Sequence, residues 1–544
     1  MKKLLGIVLS LVLIGLLDAC GTETSSQSSS QSSNDEKKEP TISTSLSKPD
    51  TAKWKYDADN DYYYQVGIDY CEKPVDEKFE KLAFFVPAAY MDATDNGNGT
   101  FTCKLNESAE INGYTALKAP IVMPIATEGY FSAEALTEDS FSATPFYTEN
   151  ISNYTSQGLV YVFAGCRGIQ EGAPTGVTDL KAAIRYVRYC DDMVAGDAEN
   201  IFVFGMSGGG AQAAILGASG DSELYDPYLE AIGAVQGVSD AVAGSMDWCP
   251  IINLDTANAE YEWMMGCTRS ERSAEEQAIS DGLANAFAEY VNSAGFTDKD
   301  GNALTLTKSK EGIYQAGTYY EYVKSVIEKS LNNYLSDTKF DDPDLINSYK
   351  NAKGYIDELN ADKKWINYNE ITNTATITSI ADFANACKKA SDTLVAFDQP
   401  GSGNTLFGYG DSKGAHFDKI LADILKKLNS KYSAEYESQL NKTDSFGYSV
   451  EQRVNMYTPL YYLMKSREGY GKSTVAKYWR IRSGIEQPNT SVTTEINLAL
   501  ALQNYDGVKS VDFEEVWAQG HEPVERTGEN TENFIKWVKD CTKG

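Results

Sequence analysis

The run IFVFGMSGGGAQA, residues 201–213, decides the reading of this chain. Ile201, Phe202, Val203 and Phe204 are β-branched or aromatic and favour a strand, whereas the small residues from Ala211 onward favour a helix. Between them stands Gly205-Met206-Ser207-Gly208-Gly209, a G-x-S-x-G at a strand-to-helix turn, which is the setting of a nucleophile elbow. Such a turn holds its serine in a strained backbone conformation with the hydroxyl exposed, so its neighbours must lack bulk. The helix behind it directs N–H groups and its positive dipole end at the place where an oxyanion forms during acyl transfer.

Working outward, residues 82–86, 119–124 and 159–163 read as buried strands. Residues 179–193 read as a helix with Leu180, Ala183, Ile184 and Val187 on one face. After the elbow come a helix and a strand at 231–238. Much later the alternation resumes with strand 477–482, helix 492–502, strand 510–517 and helix 531–539. Strands alternating with helices predict an α/β fold with a doubly wound, mostly parallel sheet. From about 251 to 458 the alternation stops, and helical periodicity (274–290, 319–331, 418–428) with many Tyr, Asn and Lys takes its place. That segment is expected to be a large, mainly helical lid inserted into a catalytic domain made of 51–250 and 459–544. The strand–helix–strand–helix ending needs a sheet to join, which disfavours a separate downstream domain.

The N-terminus has a different character. A short basic start is followed by an almost continuous apolar run from Leu4 to Leu17, too short for a comfortable membrane span and suited to a signal peptide. It ends in Leu17-Asp18-Ala19-Cys20, which resembles the lipobox of bacterial lipoproteins, although Asp18 departs from it. Residues 1–20 are therefore expected to be a lipoprotein signal peptide with Cys20 as the lipidated residue. Residues 21–50, rich in Ser and Gln, are expected to be a flexible tether. The implied location is extracytoplasmic, at a bacterial cell surface. A net charge of −30 across 544 residues leaves no basic stripe for phosphates and argues against a nucleic-acid partner. Beyond Cys20 the eight cysteines are an even number in an exported chain, so some disulfides are expected. With no C-x-x-C and two histidines in all, there is no zinc set.

A serine nucleophile needs a base, and the chain offers only His416 and His521. In the α/β-hydrolase order of serine, acid and histidine, the histidine follows the last strand. His521, in Trp517-Ala518-Gln519-Gly520-His521, meets that requirement, whereas His416 lies in the inserted segment and reads as structural. The acid is expected after strand 477–482, where the one carboxylate is Glu486. Asp247 and Asp255, near the end of an earlier strand, remain alternatives.

Several stretches resemble the bacterial tannases, tannin acyl hydrolases related to feruloyl esterases. These are 119–124, 179–186, the elbow with 216–220, Cys249-Pro250-Ile251-Ile252, 259–263 and 517–521. The resemblance implies an α/β hydrolase with a large lid, Ser207 as nucleophile, His521 as base and no cofactor. It also implies an oxyanion hole made by the Gly208 N–H and a second donor from the 125–129 loop, at Gly129. Where the family carries two aspartates in a G-x-A-D-x-D pattern, one the triad acid and the other a galloyl ligand, this chain has Gln487 and Asn489. A galloyl-binding glutamate of the lid is replaced near Gly403, while Lys389 is kept at the substrate site. The expectation is a surface-anchored serine esterase for aromatic or small acyl esters, with a small-molecule ester as its partner. A hydrolase-fold lipoprotein that only binds ligand, and a serine peptidase, are the competing readings.

Overall fold

The computed structural model describes residues 41–138, 145–310, 312–340, 342, 349–391, 393–399, 401–411 and 413–543. Cys20, the signal peptide and residues 21–40 of the expected tether lie outside the described residues.

A nine-stranded sheet organises the domain. Its strands are β1 (Lys55–Asp57), β2 (Tyr62–Asp69), β3 (Lys81–Pro87), β4 (Pro120–Ile125), β5 (Val160–Ala164), β6 (Asp197–Met206), β7 (Gly244–Trp248), β8 (Tyr478–Gly484) and β9 (Ser510–Val516). Their order is β1-β2-β3-β5-β4-β6-β7-β8-β9. From β5 to β9 every pairing is parallel, and β1, β2 and β3 add an antiparallel edge. Strands β4, β5 and β7 are buried along their whole length, as expected of parallel strands covered on both faces. This is the α/β-hydrolase fold.

Along β6 the side chains alternate between two helical layers. Phe202 and Phe204 meet the terminal helix 530–542, with ring centres 5.5 Å from Trp537 and 4.6 Å from Phe534. The opposite face meets α1, Gly208–Ala218, in which every residue is buried. Its composition, GGGAQAAILGA, follows from that position. A side chain on Gly209 would stand 2.1 Å from the Ile125 carbonyl oxygen, so only glycine lets the helix approach β4 this closely.

Strands β7 and β8 are hydrogen-bonded neighbours, yet residues 249–477 separate them in sequence. The intervening chain carries helices such as Ala257–Met265, Ala274–Ala294 and Thr318–Asp337, and a two-stranded hairpin, Ile366–Asn369 with Thr374–Ile377. Helix Ala274–Ala294 begins with a capping box between Ser273 and Glu276 and ends at Gly295 with φ 75°.

Three expectations change. The strand at 231–238 is absent: this stretch makes only isolated bridges, Cys71 to Ala234 and Ser43 to Gln236, with Gly233 and Gly237 at positive φ. The parallel strand is Gly244–Trp248, whose polar and small residues disguise its central position. Residues 41–50 are not tether: Ser43 and Gln236 exchange backbone hydrogen bonds at 3.1 Å, and the Tyr186 hydroxyl donates to the Ser47 carbonyl at 2.7 Å. Hydrogen bonds, with Pro49 buried and Leu46 packed against the core, order this polar stretch, which composition does not reveal. Finally, Cys71, Cys103, Cys166, Cys190, Cys249, Cys267, Cys387 and Cys541 are all free thiols, so the expected disulfides are not formed.

Candidate active site

The elements that carry chemistry meet at the C-terminal ends of the parallel strands, where open α/β sheets bind ligands. Ser207 follows β6 with φ 58° and ψ −119°, a strained conformation for a residue with a side chain. It is held from both sides: its N–H donates to the Trp248 carbonyl at 2.9 Å, and its own carbonyl accepts from Ala211 at 2.9 Å. His521, in the loop after β9, places Nε2 2.9 Å from Ser207 Oγ.

Gly208 and Gly129 lie side by side. A side chain on Gly208 would stand 2.4 Å from Tyr130 N and 3.0 Å from Gly129 N. The Tyr130 N–H is engaged by the Thr127 carbonyl at 2.8 Å. The loop is fixed by the Tyr130 hydroxyl, which donates to the Ile251 carbonyl.

The acid is not where the sequence reading places it. His521 Nδ1 is buried without a hydrogen-bond partner among the described residues. Glu486 makes no hydrogen bond to His521. Ile485 N–H donates to the Val516 carbonyl and Glu486 N–H to the Gln519 carbonyl. These bonds fix the turn, and the Glu486 charge acts on Lys388, Tyr334, Tyr355 and Cys387 of the inserted segment. Burial raises the Glu486 pKa, and Lys388 opposes the rise. Asp247 is fully buried under α1, accepts from Ser245 Oγ at 2.5 Å, and burial pushes its pKa far up. Asp255 is bound by Arg467 at 2.5 Å. Neither reaches His521.

Gln487, at the family's acid position, turns into its own loop. Its Oε1 accepts from the N–H groups of Asn489 (3.0 Å) and Thr490 (3.3 Å), and its Nε2 donates to Thr490 Oγ1. It therefore does not line the substrate cavity, but Asn489 and Gly403 do. Lys389 is exposed and lies outside the cavity, a correction to its expected role. Its neighbour Lys388 is the buried one, donating to the carbonyls of Ile485 (3.2 Å) and Gln487 on either side of Glu486. His416 pairs with buried Asp398 at 2.7 Å and stacks on Tyr436, a structural role within the lid.

The cavity over Ser207 has a volume of about 290 Å³. Tyr130, Ile251, Leu254, Tyr261 and Phe397 give it apolar and aromatic walls. Sequence reasoning missed these residues as a set. Only Tyr261 and Ile251 fell within stretches that had drawn attention, and the rest arrive from separate segments.

Fold and elbow define an α/β hydrolase. Comparisons narrow the class. The BD-FAE family model matches residues 114–311, which include the elbow. The tannin acyl hydrolase of Lactobacillus plantarum is 26% identical with a TM-score of 0.68, covering 89% of this chain and 94% of that one. The tannase of Fusobacterium nucleatum gives 26% and 0.68, with 89% and 95% covered. A tannin acyl hydrolase in complex with ethyl gallate also gives 26% and 0.68, with 89% and 94% covered. No match is found among curated proteins. The chain is similar to these tannin acyl hydrolases over most of its length.

Burial and, secondly, the nearby Lys388 ammonium lower the His521 pKa below its ordinary 6.5. Both disfavour the imidazolium, so the ring stays neutral and able to accept a proton to lower pH than an exposed histidine. With two histidines in the chain, ring-proton NMR can follow each. His521 is expected to titrate below 6.5, and Lys388→Met to move that titration upward. An unchanged or lower value in the variant would contradict the assignment of Lys388.

Proposed function

We propose that this chain is a serine carboxylic-ester hydrolase acting through an acyl-enzyme. The observation that carries the reading is the 2.9 Å contact of His521 Nε2 with Ser207 Oγ on a strained elbow flanked by two amides. Ser207 Oγ attacks the ester carbonyl while His521 takes its proton, and the oxyanion is held by the N–H groups of Gly208 and Gly129. The carbonyl–alkoxy bond breaks, and the alcohol leaves with the proton from His521. Water, deprotonated by His521, then attacks the acyl-enzyme, and Ser207 recovers its proton as the acid departs. Among the described residues no carboxylate reaches Nδ1, so Ser207 and His521 work as a pair. Replacing the acid of a Ser–His–Asp triad by an amide lowers kcat about 10⁴-fold, which makes this a slow esterase.

Ser207→Ala and His521→Ala are each expected to lower kcat on p-nitrophenyl acetate by about 10²-fold, the share left to a pair without its acid, and the double variant little further, because such residues act as a unit. Glu486→Gln, which touches neither, is expected to change kcat by less than about threefold. Undiminished turnover in either alanine variant removes the mechanism.

One observation favours a second reading, a fold that binds ligand without turning it over: the amide at 487 and the unpartnered Nδ1. Failure of a serine-directed phosphonate to label Ser207 would support it.

For the substrate, the cavity volume and aromatic walls suit one aromatic or small acyl group. A tannin acyl hydrolase with 26% identity has been seen with ethyl gallate, and another with 25% identity with 3,4-dihydroxybenzoate. Three adjacent phenolic hydroxyls need fixed acceptors, and charge-assisted bonds are about twice as strong as neutral ones. Asn489 and Gly403 supply an amide and nothing. Methyl gallate is therefore expected to be preferred over methyl benzoate in kcat/KM by less than about 100-fold. A larger ratio would show acceptors in the cavity beyond those named.

The same proposal extends to location: export and lipid anchoring at Cys20, on the evidence of residues 1–20. Cys20→Ser should release the mature chain from the membrane fraction, and retention there would contradict the anchor.

A further inference from the structure

A second cavity, about 580 Å³ and twice the volume of the one over Ser207, lies on the seam between the inserted segment and the catalytic domain. One wall is built by the chain from Arg167 to Thr178 together with Tyr228 and Ile232, the other by Tyr409, Lys442 to Phe446 and Arg453. The Ser207 mechanism uses none of these residues.

Arg453 lines this cavity from within the protein. Only 1% exposed, it donates from Nη1 to the carbonyls of Ala173 (3.0 Å) and Gly408 (2.8 Å) and from Nη2 to that of Phe407 (2.8 Å). Its Nε–H has no partner, and no carboxylate pairs with the guanidinium among the described residues. A buried charge without a counter-charge is costly. In a chain with 78 acidic and 48 basic residues, an unpaired buried arginine is the less expected for that excess of acid. Lys442, exposed at the same cavity, also has no ion-pair partner among the described residues, and its ammonium lies 5.9 Å from the centre of the Tyr409 ring on which Arg453 packs at 4.7 Å.

The acids that face the cavity are engaged. Asp444 accepts from the Tyr228 hydroxyl and from the N–H groups of Phe446 (2.9 Å) and Tyr448 (3.0 Å). Glu171 accepts from the Gly168 N–H at 3.1 Å. Arg167 is bound to Asp179 at 2.7 Å and faces Glu80 at 3.4 Å. Arg453 thus has carbonyl acceptors but no ion-pair partner, and Lys442 has no ion-pair partner, among the described residues. Beside them Phe446, 42% exposed, rests with its ring centre 4.5 Å from that of Tyr228 and presents an apolar surface to the cavity.

We infer that this cavity binds a planar aromatic carboxylate, its ring against Phe446 and Tyr228 and its carboxylate toward Lys442 and Arg453. A charge-assisted bond to Lys442, with the buried Arg453 charge behind it, supplies the recognition, and an apolar ring supplies the area. The inference stands apart from the role of Ser207: the cavity would bind such an acid whether or not the chain hydrolyses esters.

The test is binding of 4-fluorobenzoate to the full chain, followed by ¹⁹F NMR, with 4-fluorobenzamide as the neutral counterpart. The wild-type chain is expected to bind one equivalent of the acid that Lys442→Glu and Phe446→Ala each weaken about tenfold or more, at the scale of one charge-assisted bond or one buried ring. Both substitutions are at exposed positions, and hydrolysis of p-nitrophenyl acetate should be unaltered in them. The benzamide should not occupy this site. Wild-type binding in both variants, or equal binding of the benzamide, overturns the inference. Loss of hydrolysis in the wild type would bear on Ser207 alone.

Discussion

The approach of helix Gly208–Ala218 to the sheet governs everything at this site. A Cβ on Gly208 would meet Tyr130 N at 2.4 Å, and one on Gly210 would meet the Trp248 carbonyl at 2.8 Å. Because backbone touches backbone there, β4, β6 and β7 are locked to the first turn of one helix. That contact pulls Ser207 into positive φ and sets its amide neighbours next to the 127–130 loop. The strain at Ser207 persists because the Trp248 carbonyl and the Ala211 N–H hold it from both sides. Everything else converges on this point from the sheet's C-terminal edge.

How much of this can be read from the chain depends on whether a residue's role is local. Ser207 and His521 are legible because a turn motif and a position after the last strand each carry their own signal. The sheet is legible from its buried runs, except for β7: Gly-Ser-Met-Asp-Trp lacks a strand's pattern because Ser245 and Asp247 lie under a helix that leaves little room, while 231–238 is apolar yet broken by two glycines at positive φ. The acid illustrates the limit most clearly. Glu486 stands one residue from the expected position, and the hydrogen bonds of Ile485 and Glu486 to the 516–519 stretch turn that side chain toward the lid. A one-residue offset in a tight turn reverses direction, and composition carries no trace of it. Lys388 and Lys389 repeat the lesson: adjacent in sequence, one is buried beneath the acid loop and the other is in solvent.

Around the acid loop the electrostatics form a consistent set. Lys388 is fully buried, and burial lowers its pKa, while Glu495 and Glu515 raise it again. Burial in turn drives both glutamates upward, and Lys388 opposes that rise for each. Glu495 also accepts from Ser483 Oγ and Thr490 Oγ1 at 3.1 Å each, tying the end of β8 to the far side of the loop. The loop therefore keeps its shape through a buried ammonium and carboxylates that do not touch the histidine.

That arrangement explains why an amide can occupy position 487. A buried carboxylate there would need a partner, and the nearest cation is Lys388, which already holds the Gln487 carbonyl. An ion pair formed inside the loop would draw the carboxylate toward Lys388 and away from His521 Nδ1. A neutral glutamine instead satisfies the N–H groups of Asn489 and Thr490 and closes the turn without charge. The Lys388 ammonium also acts on His521, where, after burial, it favours the neutral imidazole. A neutral ring is the form that takes a proton from Ser207, but the same cation opposes the imidazolium that results. The loop thus trades support for the charged intermediate for a base that stays unprotonated in more acidic surroundings.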